Sequence, residues 1–141
     1  GRNESSLDIF VKNMRNLISK RYISIEGINN KKFNVSPYIE EADLIINTTP
    51  IGMNSKNTKQ DNVPLGHDIW ACLCEKTILY DLIYTPKPTN WLKLGQQKNC
   101  FTIDGLDMLV EQGAFSIRLW SGFQDVPVQT MKSSAEKHLM V

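Results

Sequence analysis

A few side chains in this chain could do chemistry and stand where their type is unexpected. Asp81 sits in the middle of "TILYDLIY" (77–84), an apolar run that reads as a buried strand. A carboxylate in that setting must be satisfied, by loop amides or by a neighbouring hydroxyl, which gives it a structural role. Tyr84 ends the run with a phenol, and Pro86 and Pro88 make its exit rigid. Gln112 falls inside an apolar helical stripe, four residues after Met108 and three before Phe115. A buried amide there bonds either to backbone or to hydroxyls of a ligand, because leaving it unpaired costs about 1–3 kcal/mol. Lys87, between the two prolines, is expected in solvent.

Spacing removes other chemistries. Cys72 and Cys74 form C-x-C without a second ligand pair nearby, and His67 and His138 lie far apart, so no metal site is expected. Three cysteines without framework spacing suit a reducing, cytoplasmic setting. A net charge of +1 gives no electrostatic case for nucleic acid or a membrane surface. No apolar run approaches the roughly 20 residues that cross a bilayer.

The elements that must position these residues alternate in type. Leu7, Phe10, Val11, Met14, Leu17 and Ile18 recur at helical spacing, predicting a helix over 6–19 with Ser5 and Asp8 as its capping pair. "YISIEGI" (22–28) reads as a short strand and 29–37 as a polar loop. Leu44, Ile45 and Ile46 run without alternation, the pattern of a parallel strand covered on both faces. That strand breaks at Thr-Thr-Pro-Ile-Gly, before a loop over 54–66. Asp68 is placed to cap a short helix, Thr77–Tyr84 follows as a strand, Thr89 starts a helix, and "CFTI" (100–103) is a last strand. The fold class is α/β, a doubly wound parallel sheet followed by C-terminal helices.

Those helices cover 106–120 and 128–139, the second preceded by Asp125 as cap and by Pro127. On the first, Leu106, Leu109, Val110, Gly113, Ile117 and Trp120 make one stripe, and Met108, Phe115 and Leu119 another. So wide an apolar arc predicts a helix wedged between two bodies, one of them outside this chain. In open α/β sheets ligands bind beyond the carboxyl ends of the strands, where Thr48–Met53 and Leu82–Tyr84 lie.

Three segments, "NTTPIGM" (47–53), "YDLIYTPKPT" (80–89) and "DGLDMLVEQGAFSIRLW" (104–120), together with "VPV" (126–128), resemble shikimate dehydrogenase in order and spacing. The resemblance covers nearly the whole chain but only the later part of such an enzyme. It implies a partial, Rossmann-like NADP-binding domain over 1–104, and terminal helices over 105–141 that pack toward a shikimate-binding domain. Asn47, Thr48 and Thr49 would lie beside NADP, Leu82 and Gly105 near the nicotinamide, and Tyr84 and Gln112 near shikimate. "GRN" (1–3) falls where the family holds the 2′-phosphate of NADP, which assigns Arg2 and Asn3 to that group. Thr is common in the family where this chain has Asn3.

The implied reaction is the reversible NADPH-dependent reduction of 3-dehydroshikimate to shikimate, in chorismate and aromatic amino-acid biosynthesis. Shikimate or its ketone is the expected small-molecule partner, with pairing of two full-length copies and no nucleic-acid or membrane partner. The family's catalytic Lys and Asp and its Gly-rich phosphate turn have no counterpart in these residues, so the chain alone is expected not to turn over. The alternatives are a quinate-using relative and a non-catalytic module that binds nucleotide or a partner.

Overall fold

The computed structural model describes residues 3–18, 23–29, 34–53 and 63–139. Helix α1 (Glu4–Ile18) opens the chain. Its cap is Asn3, whose side-chain oxygen accepts from Ser6 N at 3.1 Å, so the expected Ser5–Asp8 box is replaced by a cap two residues earlier. Of the strand expected over 22–28, Tyr22 lies outside the described residues and 23–28 have no regular structure. A strand needs a neighbour to take its backbone groups, and the described strands pair only with one another. The segment lies instead against α1, where the Arg15 guanidinium donates to Ile25 O at 2.7 and 2.9 Å. Part of the expected polar loop is helical as well: α2 (Ser36–Glu40) forms with Pro37 in its first turn.

The centre is a parallel sheet of β1 (Leu44–Asn47), β2 (Ile78–Asp81) and β3 (Phe101–Ile103), in the order β1-β2-β3. Ile45, Leu79 and Thr102 are register partners and share one face. Helix α4 (Asn90–Gln97) crosses that face, close enough that a Cβ on Gly95 would overlap the Leu79 side chain. Below it Leu79, Trp91, Leu92, Trp70, Ile39 and Cys100 form the core, joined by α2 and the short α3 (His67–Trp70). Gly66 is the cap residue of α3, so Asp68 lies within the helix and does not cap it.

The opposite face departs from expectation. Leu44 and Ile46 are 48% and 47% exposed and Phe101 is 66% exposed, so the apolar run of β1 is covered on one side only. β1 is an edge strand of the described sheet, and its outer face is only half covered. No described helix is long and apolar enough to cross a membrane.

Helices α5 (Leu106–Ser121) and α6 (Val128–Leu139) pack against each other, with the Lys132 ammonium paired to the Asp107 carboxylate. Gly122 ends α5 in the left-handed conformation (φ 75°), its N–H donating to Arg118 O at 3.0 Å. α6 starts directly after Pro127, whose carbonyl accepts from Met131 N at 3.0 Å, so Pro127 and not Asp125 marks its start. α5 buries Leu106, Val110 and Ala114, while Phe115 (65%), Leu119 (72%) and Trp120 (80%) stand in solvent.

Candidate functional site

Two loops leave the carboxyl ends of β1 and β2 side by side. Between them lies a cleft of about 340 Å³, lined by Thr48, Thr49, Met53, Leu82, Tyr84 and their neighbours. Four residues singled out in the sequence therefore meet in one place. Gly105 joins them from the start of α5: its N–H donates to Ile83 O at 3.2 Å. A Cβ built there would overlap the Leu82 carbonyl, so only glycine lets these two backbones approach.

The β1 loop is shaped by Asn47. Its amide nitrogen donates to Ile51 O at 3.2 Å and to Asp81 Oδ1 at 2.9 Å. Its oxygen accepts from Thr49 N at 3.0 Å and Thr49 Oγ1 at 2.7 Å. An amide has two donors and two lone pairs, so Asn47 has no capacity left for a ligand. Thr49 Oγ1 is also engaged, accepting from Ile51 N at 3.3 Å. Thr48 is exposed and makes no side-chain hydrogen bond among the described residues.

Asp81 is fully buried, and both expected kinds of partner are present. Oδ1 accepts from the loop amide of Ile83 at 3.1 Å, and Oδ2 from the Thr89 hydroxyl at 2.7 Å. Thr89 is also the cap of α4, accepting from Leu92 N at 3.4 Å. One carboxylate thus ties together the β1 loop, the β2 exit and a helix start. The cap was legible in the sequence; its bond to Asp81, eight residues back, was not.

Between them the chain turns through Thr85–Pro86 and Lys87–Pro88, both cis. Lys87 is exposed, as expected, and its ammonium pairs with Asp104 Oδ2 at 3.0 Å. Asp104 Oδ1 in turn accepts from Leu106 N at 2.9 Å, fastening the start of α5 to the β2 exit.

Gln112 does not meet the expectation of a buried amide. It is exposed on the same side of α5 as Phe115 and Leu119, and it does not line the cleft. Met108 is half-buried and Phe115 and Leu119 are exposed, so nothing among the described residues covers this stripe. Arg2 lies outside the described residues, and Asn3 is exposed with its oxygen committed to α1. No cluster of metal-ligating side chains occurs among the described residues.

The sheet order, the flanking helices and a cleft beyond the strand ends define a Rossmann-like α/β unit, incomplete at three strands. Residues 105–136 match the shikimate 5′-dehydrogenase C-terminal domain. The shikimate dehydrogenase (NADP(+)) of Prochlorococcus marinus strain MIT 9312 is 46% identical over 138 residues, 98% of this chain and 46% of that protein. Among solved structures, a shikimate dehydrogenase in complex with NADP+ superposes with a TM-score of 0.76 at 27% identity, covering 98% of this chain and 45% of that one. The Thermus thermophilus enzyme, in complex with NADP(H) and shikimate, gives 0.59 at 28% identity over 74% of this chain and 37% of its own. The chain belongs to the shikimate dehydrogenase family, matching the C-terminal part of its members. It spans about half the length of the curated relatives it matches.

Proposed function

We propose that this chain is the cofactor side of a shikimate dehydrogenase that uses NADPH to reduce 3-dehydroshikimate reversibly to shikimate. The observation that carries this reading is the cleft where Leu82, Tyr84, Thr48 and Thr49 converge, closed by the contact of Gly105 with the Leu82 carbonyl. A largely apolar wall beside exposed backbone suits a flat nicotinamide ring, whose amide needs hydrogen-bond partners and whose faces do not. NADPH, when bound, supplies the hydride. The residues of this chain orient it: Leu82 and Gly105 set the floor of the cleft and Thr48 faces its rim, while Asn47 and Thr49 fix the loop beside it. Arg2 holds the 2′-phosphate, with Asn3 ordering the helix that follows.

The described lining of the cleft holds no Lys, His, Asp or Glu, only Tyr84 and the threonines 48, 49 and 85 as ionisable or hydroxylic side chains, so we assign the acid–base pair to groups outside it. The exposed side of α5 and its continuation, with Phe115, Leu119, Trp120 and Phe123, is where the shikimate-binding half docks, bringing Gln112 and Tyr84 toward the substrate. This divides the chain into a nucleotide unit over 1–104 and docking helices over 105–141. A cytoplasmic homodimer is the expected assembly.

The test is direct. NADP+ titrated into the full-length protein should bind well ahead of NAD+, and shikimate should be oxidised with NADP+ in a spectrophotometric assay. Binding without turnover on shikimate or quinate would make the protein a nucleotide-binding module. Turnover on quinate alone would change the substrate and leave the cofactor site standing.

A further inference from the structure

We propose that Asp81 is a positioning residue for the nicotinamide end of the cleft, acting through Asn47 and Ile83 without touching the ligand. This rests on the cofactor reading above. Neither Asp81 nor Asn47 lines the cleft at Leu82 and Tyr84, yet the bonds that fix its two walls lead back to them. On one side Asn47 passes the constraint to Thr49 and Ile51, which hold the Thr48–Met53 wall. On the other, Asp81 grips Ile83 N, and the carbonyl of the same residue accepts from Gly105 N. The backbone of β1 joins in, since Leu82 N donates to Asn47 O at 3.1 Å.

The third arm reaches away from the cleft, to Thr89 and the start of α4. That arm is what makes a carboxylate necessary. Oδ1 accepts from two nitrogens, Asn47 Nδ2 and Ile83 N, while Oδ2 accepts the Thr89 proton. Asparagine offers only one accepting atom, so one arm must give way. With Oδ1 kept as the acceptor the α4 arm is turned round and both cleft-side bonds lose the charge that strengthens them; with the amide flipped, its nitrogen faces the two donors Asn47 Nδ2 and Ile83 N. A buried charge with three donors also resists displacement better than a neutral group.

The experiment separates positioning from mere support. In the full-length protein, affinities are measured for NADP+ and for adenosine 2′,5′-bisphosphate, which reaches the 2′-phosphate site but not the nicotinamide cleft. Asp81→Asn should weaken NADP+ by about fivefold or more, the equivalent of one net hydrogen bond. Adenosine 2′,5′-bisphosphate should change by less than about twofold, because its contacts lie outside the Asp81 network. Leu92→Ala, a core variant on α4, controls for general loosening and should leave the ratio of the two affinities unchanged. Unaltered NADP+ affinity in Asp81→Asn, or equal losses for both ligands, would overturn the proposal. Should Asp81→Asn not fold, Asn47→Ser cuts the same link from the other side, and the same selective loss of NADP+ is required. A wild-type protein that binds neither ligand would refute the cofactor reading itself, which is a different failure.

Discussion

The ends of β1 and β2 and the outer side of α5 are built on opposite terms. At the strand ends, buried polar atoms find partners within the chain: Asn47 makes four hydrogen bonds, and Asp81 accepts three. Along α5, large apolar side chains stand in water, and Gln112 among them has no side-chain bond among the described residues. The first region is complete as it stands. The second has the composition of an interior and the exposure of a surface, so its energetics depend on what covers it. On the function proposed above, a chain with finished cleft walls and an uncovered helix face would present its ligand site to a docking partner.

Substitutions that break the finished region should cost most. Gly105→Ala forces a methyl into the Leu82 backbone, which no side-chain rotation relieves, and should destabilise by ~3 kcal/mol in a denaturant titration. Retained stability there would mean that the two loops can separate freely. Thr89→Ala removes both the cap of α4 and one donor to Asp81, and should cost roughly 2 kcal/mol. A loss no greater than that of a surface substitution would show that Asp81 does not need its third partner.

Between the two regions lies a thiol test. Burial, with Cys74 and Glu75 nearby, raises the pKa of Cys100 above its ordinary 9.0, whereas Cys74 is exposed. The folded chain therefore holds the Cys100 proton more tightly than the unfolded chain does. Its contribution is fully present below about pH 9 and is lost as pH rises through the folded value. Iodoacetamide at pH 8 should modify Cys74 first and Cys100 only on unfolding, as read by mass spectrometry. Equal labelling would place Cys100 at the surface.

The smallest effect belongs to the unfinished face. Leu119→Ser should change the stability of the isolated chain by no more than ~0.5 kcal/mol, because the side chain is already in water. In the full-length protein the same change should cost about 1.5–3 kcal/mol, the worth of one buried leucine. Equal small effects in both would leave α5 as an ordinary surface helix and erase the contrast.

What the sequence disclosed follows the same division. The β1, β2 and β3 strands, α4 with its Thr89 cap, and the α5–α6 pair were readable because local pattern and final structure agree there. The strand expected at 22–28 was not found among residues 23–29, since strand formation depends on a neighbour that a local pattern cannot supply. Gln112 was misplaced for the related reason that apolar neighbours imply burial only when something is there to bury them. Asp81 was recognised as needing an amide or a hydroxyl. Which ones, and that Asn47 would join them, depended on strand pairing across 34 residues of sequence.

The pairing of Asn47 with Asp81 has a consequence for how the sheet assembles. Leu44-Ile45-Ile46 and Ile78-Leu79-Tyr80 are nearly interchangeable apolar runs, and slid by one residue they would still bury hydrocarbon. In the native alignment Asn47 lies opposite Asp81. A slip by one residue sets Asp81 beside Ile46 or Thr48, and neither supplies the amide that meets it natively. The polar pair thus acts as a keyed end-stop: hydrophobic collapse brings the two strands together, and the hydrogen bond at their tips selects which of the possible alignments survives.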